Sequence, residues 1–271
     1  MASIHLSNHQ PSVYYSNEYK WKMSFYVEAA LRVVLILFLS FVASAQTAKI
    51  SYGFSPSKRI TFDKLEWTVK VSNISDKPRD TQSYWLLETS FASSAADAIQ
   101  FGLNPNDSVF KDKSTFLTFK GVGITPVSGN CKPLDNKDKS VACSVKYAWE
   151  RGVPYKFVVE LNSKATKTGT NRWIGTIVNG QTGETVQIGE LDVPATYGMI
   201  KPTSSGLTKW LYTTGTPPCN DEAASFELTS LAPVGYSKGT QYETQFLGHS
   251  DKSPCAVFKV VDEHTVMVTE K

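Results

Sequence analysis

From Lys64 the chain alternates with a period of two: Leu65, Trp67, Val69 and Val71 are apolar, while Lys64, Glu66, Thr68 and Lys70 between them are polar. That period belongs to a strand with one face buried and one wet. It recurs from Tyr155 to Leu161, and strands bounded by Gly, Pro, Asn or Asp are predicted over Gln82 to Phe91, Ala98 to Leu103, Ser114 to Phe119, Arg172 to Val178 and Thr185 to Leu191. Asn-Gly-Gln-Thr-Gly-Glu at 179 to 184 supplies residues that tolerate positive φ, which makes Trp173 to Leu191 the most secure hairpin. Ala256 to Thr269 reads as a final hairpin around Asp262-Glu263-His264. No segment sustains helical periodicity for three turns, and Ser93 to Ala98 has room for one short turn. The pattern predicts an all-β chain, an antiparallel β-sandwich of the jelly-roll kind.

The second constraint lies at the amino end. Residues 31 to 46, LRVVLILFLSFVASAQ, combine Arg32, an apolar run from Val33 to Phe38 and the small triplet Ala43-Ser44-Ala45. A bilayer core needs about 20 apolar residues, so this run predicts a secretory signal peptide cleaved between Ala45 and Gln46. The expected organisation is an amino-terminal extension and signal over 1–45, then one secreted domain over 46–271. Its core spans about 60–195, with carboxy-terminal strands and a tail over 196–271. Met23 offers a start that gives a signal of ordinary length, and a signal anchor is the rival reading of the longer leader. No membrane span is expected after cleavage.

Cleavage removes three of the 28 basic and two of the 25 acidic residues, leaving a net charge of +2 on 226 residues. With charges interspersed, nucleic acid is not the expected partner. Cys131, Cys143, Cys219 and Cys255 all follow the signal, and an even count in a secreted chain predicts two disulfides. Of three possible connectivities, Cys131 with Cys143 and Cys219 with Cys255 close the shortest loops. No pair has Cys-x-x-Cys spacing, so no metal is expected. Acidic loop residues such as Asp135 and Asp138 fit a calcium site and mere solubility equally. Asn73-Ile74-Ser75 and Asn106-Asp107-Ser108 are glycosylation sequons.

Chemistry is sparse, and no cofactor is expected. His249 and His264 sit beside turn residues without a Gly-x-Ser-x-Gly elbow. Glu190-Leu191-Asp192 places two acids on one strand face, as glycoside hydrolysis requires, but Ala195 stands where a sandwich-fold glucanase would carry a third. Trp149, Trp210 and Tyr212 lie among charged or turn residues and are the candidates for stacking on a sugar, whereas Trp67, Trp85 and Trp173 fit core packing. Thr203 to Pro218, rich in Thr, Ser, Gly and Pro, reads as a long loop or the start of a small subregion.

Several pieces in one order carry a resemblance: Tyr84-Trp85, Ile99-Gln100-Phe101-Gly102-Leu103, the loop from Cys131 to Cys143, Tyr147-Ala148-Trp149-Glu150-Arg151-Gly152 and Tyr155-Lys156-Phe157. They continue with Trp173-Ile174-Gly175, Thr182-Gly183-Glu184, Ile188-Gly189 and Val193-Pro194. This set resembles a family of secreted proteins catalogued only as a domain of unknown function, numbered 3472. The resemblance implies secretion, a concanavalin-like or jelly-roll sandwich and a Cys131–Cys143 bridge, and it lends no activity. The expected function is non-catalytic binding of extracellular carbohydrate or another surface ligand. The alternatives are a polysaccharide-degrading enzyme using Glu184, Glu190 or Asp192, and a structural or defence protein with a protein partner.

Overall fold

The computed structural model describes residues 48–53, 60–74, 83–93, 98–104, 113–134, 139–164, 168–211, 226–251 and 256–270. All of them belong to the compact unit Ala45–Lys271. In chain order the strands are β1 (Ala48–Gly53), β2 (Lys64–Ile74), β3 (Ser83–Ser90), β4 (Ala98–Asn104), β5 (Ser114–Phe119), β6 (Thr125–Pro126), β7 (Cys131–Pro133), β8 (Val141–Lys146) and β9 (Pro154–Leu161). There follow β10 (Thr170–Asn179), β11 (Thr185–Pro194), β12 (Thr203–Leu211), β13 (Phe226–Leu231), β14 (Val234–Ser237), β15 (Thr240–Glu243), β16 (Gln245–Asp251), β17 (Ala256–Val260) and β18 (Thr265–Glu270). One 3-10 turn, Ala195–Tyr197, interrupts them.

Two antiparallel sheets form the sandwich that the alternation predicts. One runs β16-β1-β12-β3-β4-β5-β8-β7 and the other β17-β18-β13-β2-β9-β10-β11-β6, with β14 on β2 and β15 on β14. Leu65, Trp67, Val69 and Val71 face the interior with Tyr155, Phe157 and Val159, as their parity requires. The hairpin of β10 and β11 is closed by Asn179, whose Oδ1 accepts from the backbone N–H groups of Gln181 and Thr182, and by Gly183 at φ +75°. The final hairpin pairs Ala256 with Glu270 through Val260 with Val266.

One expectation is corrected. Thr203–Leu211 is not a loop: it is a strand bonded on both edges, to β1 and to β3. Thr is a good strand former, and pairing on two sides overrides a composition that reads as irregular. Residues beyond 196 therefore supply interior strands of both sheets, β12 in one and β13 and β18 in the other.

Cys131 and Cys143 face each other across β7 and β8 and are disulfide-bonded. Opposite them, Gly175 and Gly189 form a cross-strand pair on β10 and β11. A Cβ on Gly189 would lie 2.3 Å from Cys143 Sγ and 2.6 Å from Cys131 Sγ, and one on Gly175 would lie 2.3 Å from Leu117 Cδ2. The glycine pair is a dent in one sheet into which the disulfide and Leu117 of the other sheet are seated. Gly189→Ala is expected to cost about 1–3 kcal/mol of stability by overpacking, and more than Gly175→Ala, because a leucine tip can shift and a disulfide cannot. Urea unfolding should show the Gly189→Ala penalty shrinking when Cys131 and Cys143 are both replaced by Ala.

Candidate functional site

On β3, β4 and β5 the core takes Leu87, Ile99, Phe101, Leu103, Leu117 and Phe119. Strand parity therefore turns Leu86, Glu88, Ser90, Ala98, Gln100 and Thr118 to the outer face of the eight-stranded sheet. On that face the register aligns one row across the strands: Gly248, Ser51, Gly206, Glu88, Gln100, Thr118, Ala142 and Lys132. Apart from the central pair and the terminal lysine, every member is small or carries a hydroxyl. By side-chain size alone the row reads as a trough across the sheet.

Its middle is polar and recessed. Gln100 Nε2 donates to Glu88 Oε2 at 2.5 Å, and Gln100 is only 6% exposed. Leu86, Ala98 and Ser90 around the pair are also buried, while Glu88, Thr118 and Ser51 stay partly open. A carboxylate oriented by a carboxamide thus lies on an apolar floor, on the face turned away from the core.

The outer face of the other sheet differs. Glu66 is held by Lys64 at 2.7 Å and Lys156 at 3.1 Å. Burial alone would raise its pKa, but the two lysines override that and hold the carboxyl below its ordinary value. Asp192 takes Arg172 in two bonds, Nε to Oδ1 at 2.7 Å and Nη2 to Oδ2 at 3.0 Å. Glu190 Oε1 lies 3.9 Å from the same Nε. The spacing of Glu190 and Asp192 does put them on one face, but the guanidinium sits between them as a counter-ion. Glu184 stands apart, exposed at the end of the β10–β11 turn.

Trp149 is corrected from exposed to core. It is 1% exposed; its Nε1 donates to the Asn104 carbonyl at 3.3 Å, and Lys113 Nζ lies 4.6 Å over its ring. Lys113 also donates to the Trp149 carbonyl at 3.0 Å. The charged neighbours in sequence, Glu150 and Arg151, are exposed, and the cation that covers the ring is Lys113, far from it in the chain. Trp67 and Trp173 are core residues, as anticipated. Trp210 is registered opposite Tyr84, and its side chain lies outside the description. Tyr212, Cys219, Cys255, Asn106, Asp135, Asp138, Ala45 and Gln46 also lie outside the described residues, whereas Asn73 is exposed near the end of β2. His249 stacks on Phe258 at 4.6 Å, and His264 Nδ1 meets the Thr244 carbonyl at 2.9 Å. Both histidines belong to the packing between β16 and the last hairpin. Among the described residues no group of three or more His, Cys, Asp or Glu could hold a metal ion, and no helix is long and apolar enough to cross a membrane.

The pair of Glu88 and Gln100 was not singled out from sequence. Alternation within SYWLLETS and AIQFGLN does put each on its strand's outer face, but only the register shows that they meet.

No family model matches the chain. No curated protein matches it either. Among solved structures it is similar to scytalido-glutamic peptidase with a peptide-based transition state analog, at 13% identity and TM-score 0.44, and to the same peptidase with a transition state analog inhibitor, at 12% and 0.46. It is also similar to SCP-B, a member of the eqolisin family of peptidases, in a complex with the tripeptide Ala-Ile-His, at 12% and 0.42. Each comparison covers 84% of this chain and 99% of the other. Likeness at this level assigns no activity.

Trp149→Ala is expected to destabilise the fold by about 3–5 kcal/mol, the cost of emptying a large aromatic site. Denaturant unfolding of this variant beside Trp149→Phe measures it, and a loss under 1 kcal/mol would return Trp149 to the surface.

Proposed function

We propose that the protein is a secreted, non-catalytic β-sandwich that binds an extended extracellular carbohydrate chain in the trough across the eight-stranded sheet. The observation that carries this reading is the partly open Glu88 carboxylate, bonded to buried Gln100, at the middle of a row of small and hydroxyl residues. A carboxylate accepts from sugar hydroxyls, a carboxamide both donates and accepts, and Ser51 and Thr118 extend the same chemistry along the row. Small residues leave the row open along its length, which suits a polymer better than a single sugar. Trp210, registered at β12 opposite Tyr84 on the neighbouring β3, is kept as the stacking candidate.

Glycoside hydrolysis in its usual form needs two carboxyl groups with distinct roles. Glu88 is paired with an amide, and Asp192 with a guanidinium. Binding without turnover is therefore the reading these partners support.

The test is retention of the protein on insoluble polysaccharides and a glycan array, scored together with release of reducing ends. Retention without products is expected, weakened at least tenfold (about 1.4 kcal/mol) in Gln100→Ala and unchanged in Trp149→Phe. Product release would replace this reading with an enzyme. Retention indifferent to Gln100→Ala would remove the trough from it.

A further inference from the structure

We infer that the polymer held in this trough is a polysaccharide with a neutral backbone and scattered acidic substituents, a choice that rests on the carbohydrate-binding reading and narrows it. The charges on the outer face of the eight-stranded sheet have a definite order. Parity opposite the core residues Ile50, Phe119, Cys131 and Cys143 turns Lys49, Lys120, Lys132 and Lys146 to that face. The acid that the described strands place there is Glu88.

The lysines stand away from Glu88. Lys49, on β1, is two strands from β3, at least about 10 Å at the usual inter-strand spacing, in the neighbouring row that runs through Thr208 and Leu86, and Lys132, on β7, is four strands away on the other side, about 19 Å. Lys132 is exposed and Lys49 partly so. Glu88 spends its hydrogen bond on Gln100. On the opposite face of the molecule, by contrast, Lys64 and Lys156 meet Glu66, and Arg172 meets Asp192.

A ligand that complements this order is neutral over Glu88 and anionic to either side of it. A carboxylate on every sugar would set one against Glu88, where like charges repel. A wholly neutral chain would leave the lysines without a role in recognition. A chain with occasional uronate groups satisfies both conditions, with hydroxyls at the centre and carboxylates at Lys49 and Lys132. Attraction of this kind acts over about 8 Å at physiological ionic strength and weakens with added salt.

The experiment uses glucuronoxylan, the same polymer with its uronate carboxyls chemically reduced to alcohols, polygalacturonate and single-stranded DNA, each titrated with the full secreted protein. Native glucuronoxylan is expected to bind at least tenfold more tightly than its reduced form. That ratio should fall toward one in 1 M salt and in the Lys49→Gln/Lys132→Gln double variant, whose surface changes leave the fold intact by circular dichroism and whose binding of the reduced polymer is unchanged. Equal binding of native and reduced polymers, lost in Gln100→Ala, would overturn the acidic-substituent inference while the trough reading stands. Tighter binding of polygalacturonate or DNA than of glucuronoxylan would overturn it in favour of plain cation attraction. No binding of any polysaccharide would overturn both.

Discussion

The two sheets meet closely where the Cys131–Cys143 disulfide is seated against Gly189. Side chains from facing sheets ordinarily hold them about 10 Å apart. At Gly175 and Gly189 one sheet presents bare backbone, and the other fills the dent with Leu117 and the bridge. The disulfide therefore joins two strands of one sheet and is also packing volume for the other. Around it the chain between β5 and β8 changes sheets, with β6 on β11 and β7 on β8. Asn130 Nδ2 donates to the Ile188 carbonyl and Ser128 Oγ accepts from the Glu190 N–H at 3.0 Å, so the crossing segment is bonded to the strand that carries Gly189.

At the far side of the same interior the sheets are joined by polar groups. Trp67 Nε1 donates to Ser230 Oγ at 3.1 Å, Tyr52 Oη donates to the Ser230 carbonyl at 3.3 Å, and the two rings meet edge to face at 5.6 Å. Burial pushes the Tyr52 hydroxyl far above its ordinary pKa, so it remains a donor at any physiological pH. Each polar atom of this group has a partner, which keeps its burial affordable. One end of the sandwich is thus fixed by shape and the other by hydrogen bonds, and β3, β4 and β5, whose outer face holds the trough, lie between β12 and β8.

Much of the fold was legible because a half-buried strand writes its face into its sequence. Lys64 to Val71 and Tyr155 to Leu161 could be assigned inward and outward residue by residue. The β10–β11 hairpin followed from residues that tolerate a tight turn. Thr203–Leu211 was misread, since its strand character comes from β1 and β3 on its two edges. Trp149 was misread for the complementary reason: Lys113, far from it in sequence, folds over the ring. The site was the least legible part. Glu88 and Gln100 are twelve residues apart, and nothing in either segment tells that residue 88 stands opposite residue 100 and not 98 or 102. Register is a property of pairs, and a single chain read in order does not display it.

The pair of Glu88 and Gln100 also stands out when its cost to the fold is weighed. Burying a carboxamide and crowding a carboxylate on an apolar floor sacrifices hydration that one shared hydrogen bond only partly restores. Leu86 and Ala98 beside it show that the same floor accepts aliphatic side chains, and polar pairs in such places are often replaceable by apolar ones without loss of stability. The core gains nothing from this pair, because it faces away from the core. Tyr52, Trp67 and Ser230 differ, since their polar atoms sit between the sheets and join them. A polar pair held in a fixed orientation on an outer face, beside aliphatic side chains that the same floor accepts, is not accounted for by the packing of the core.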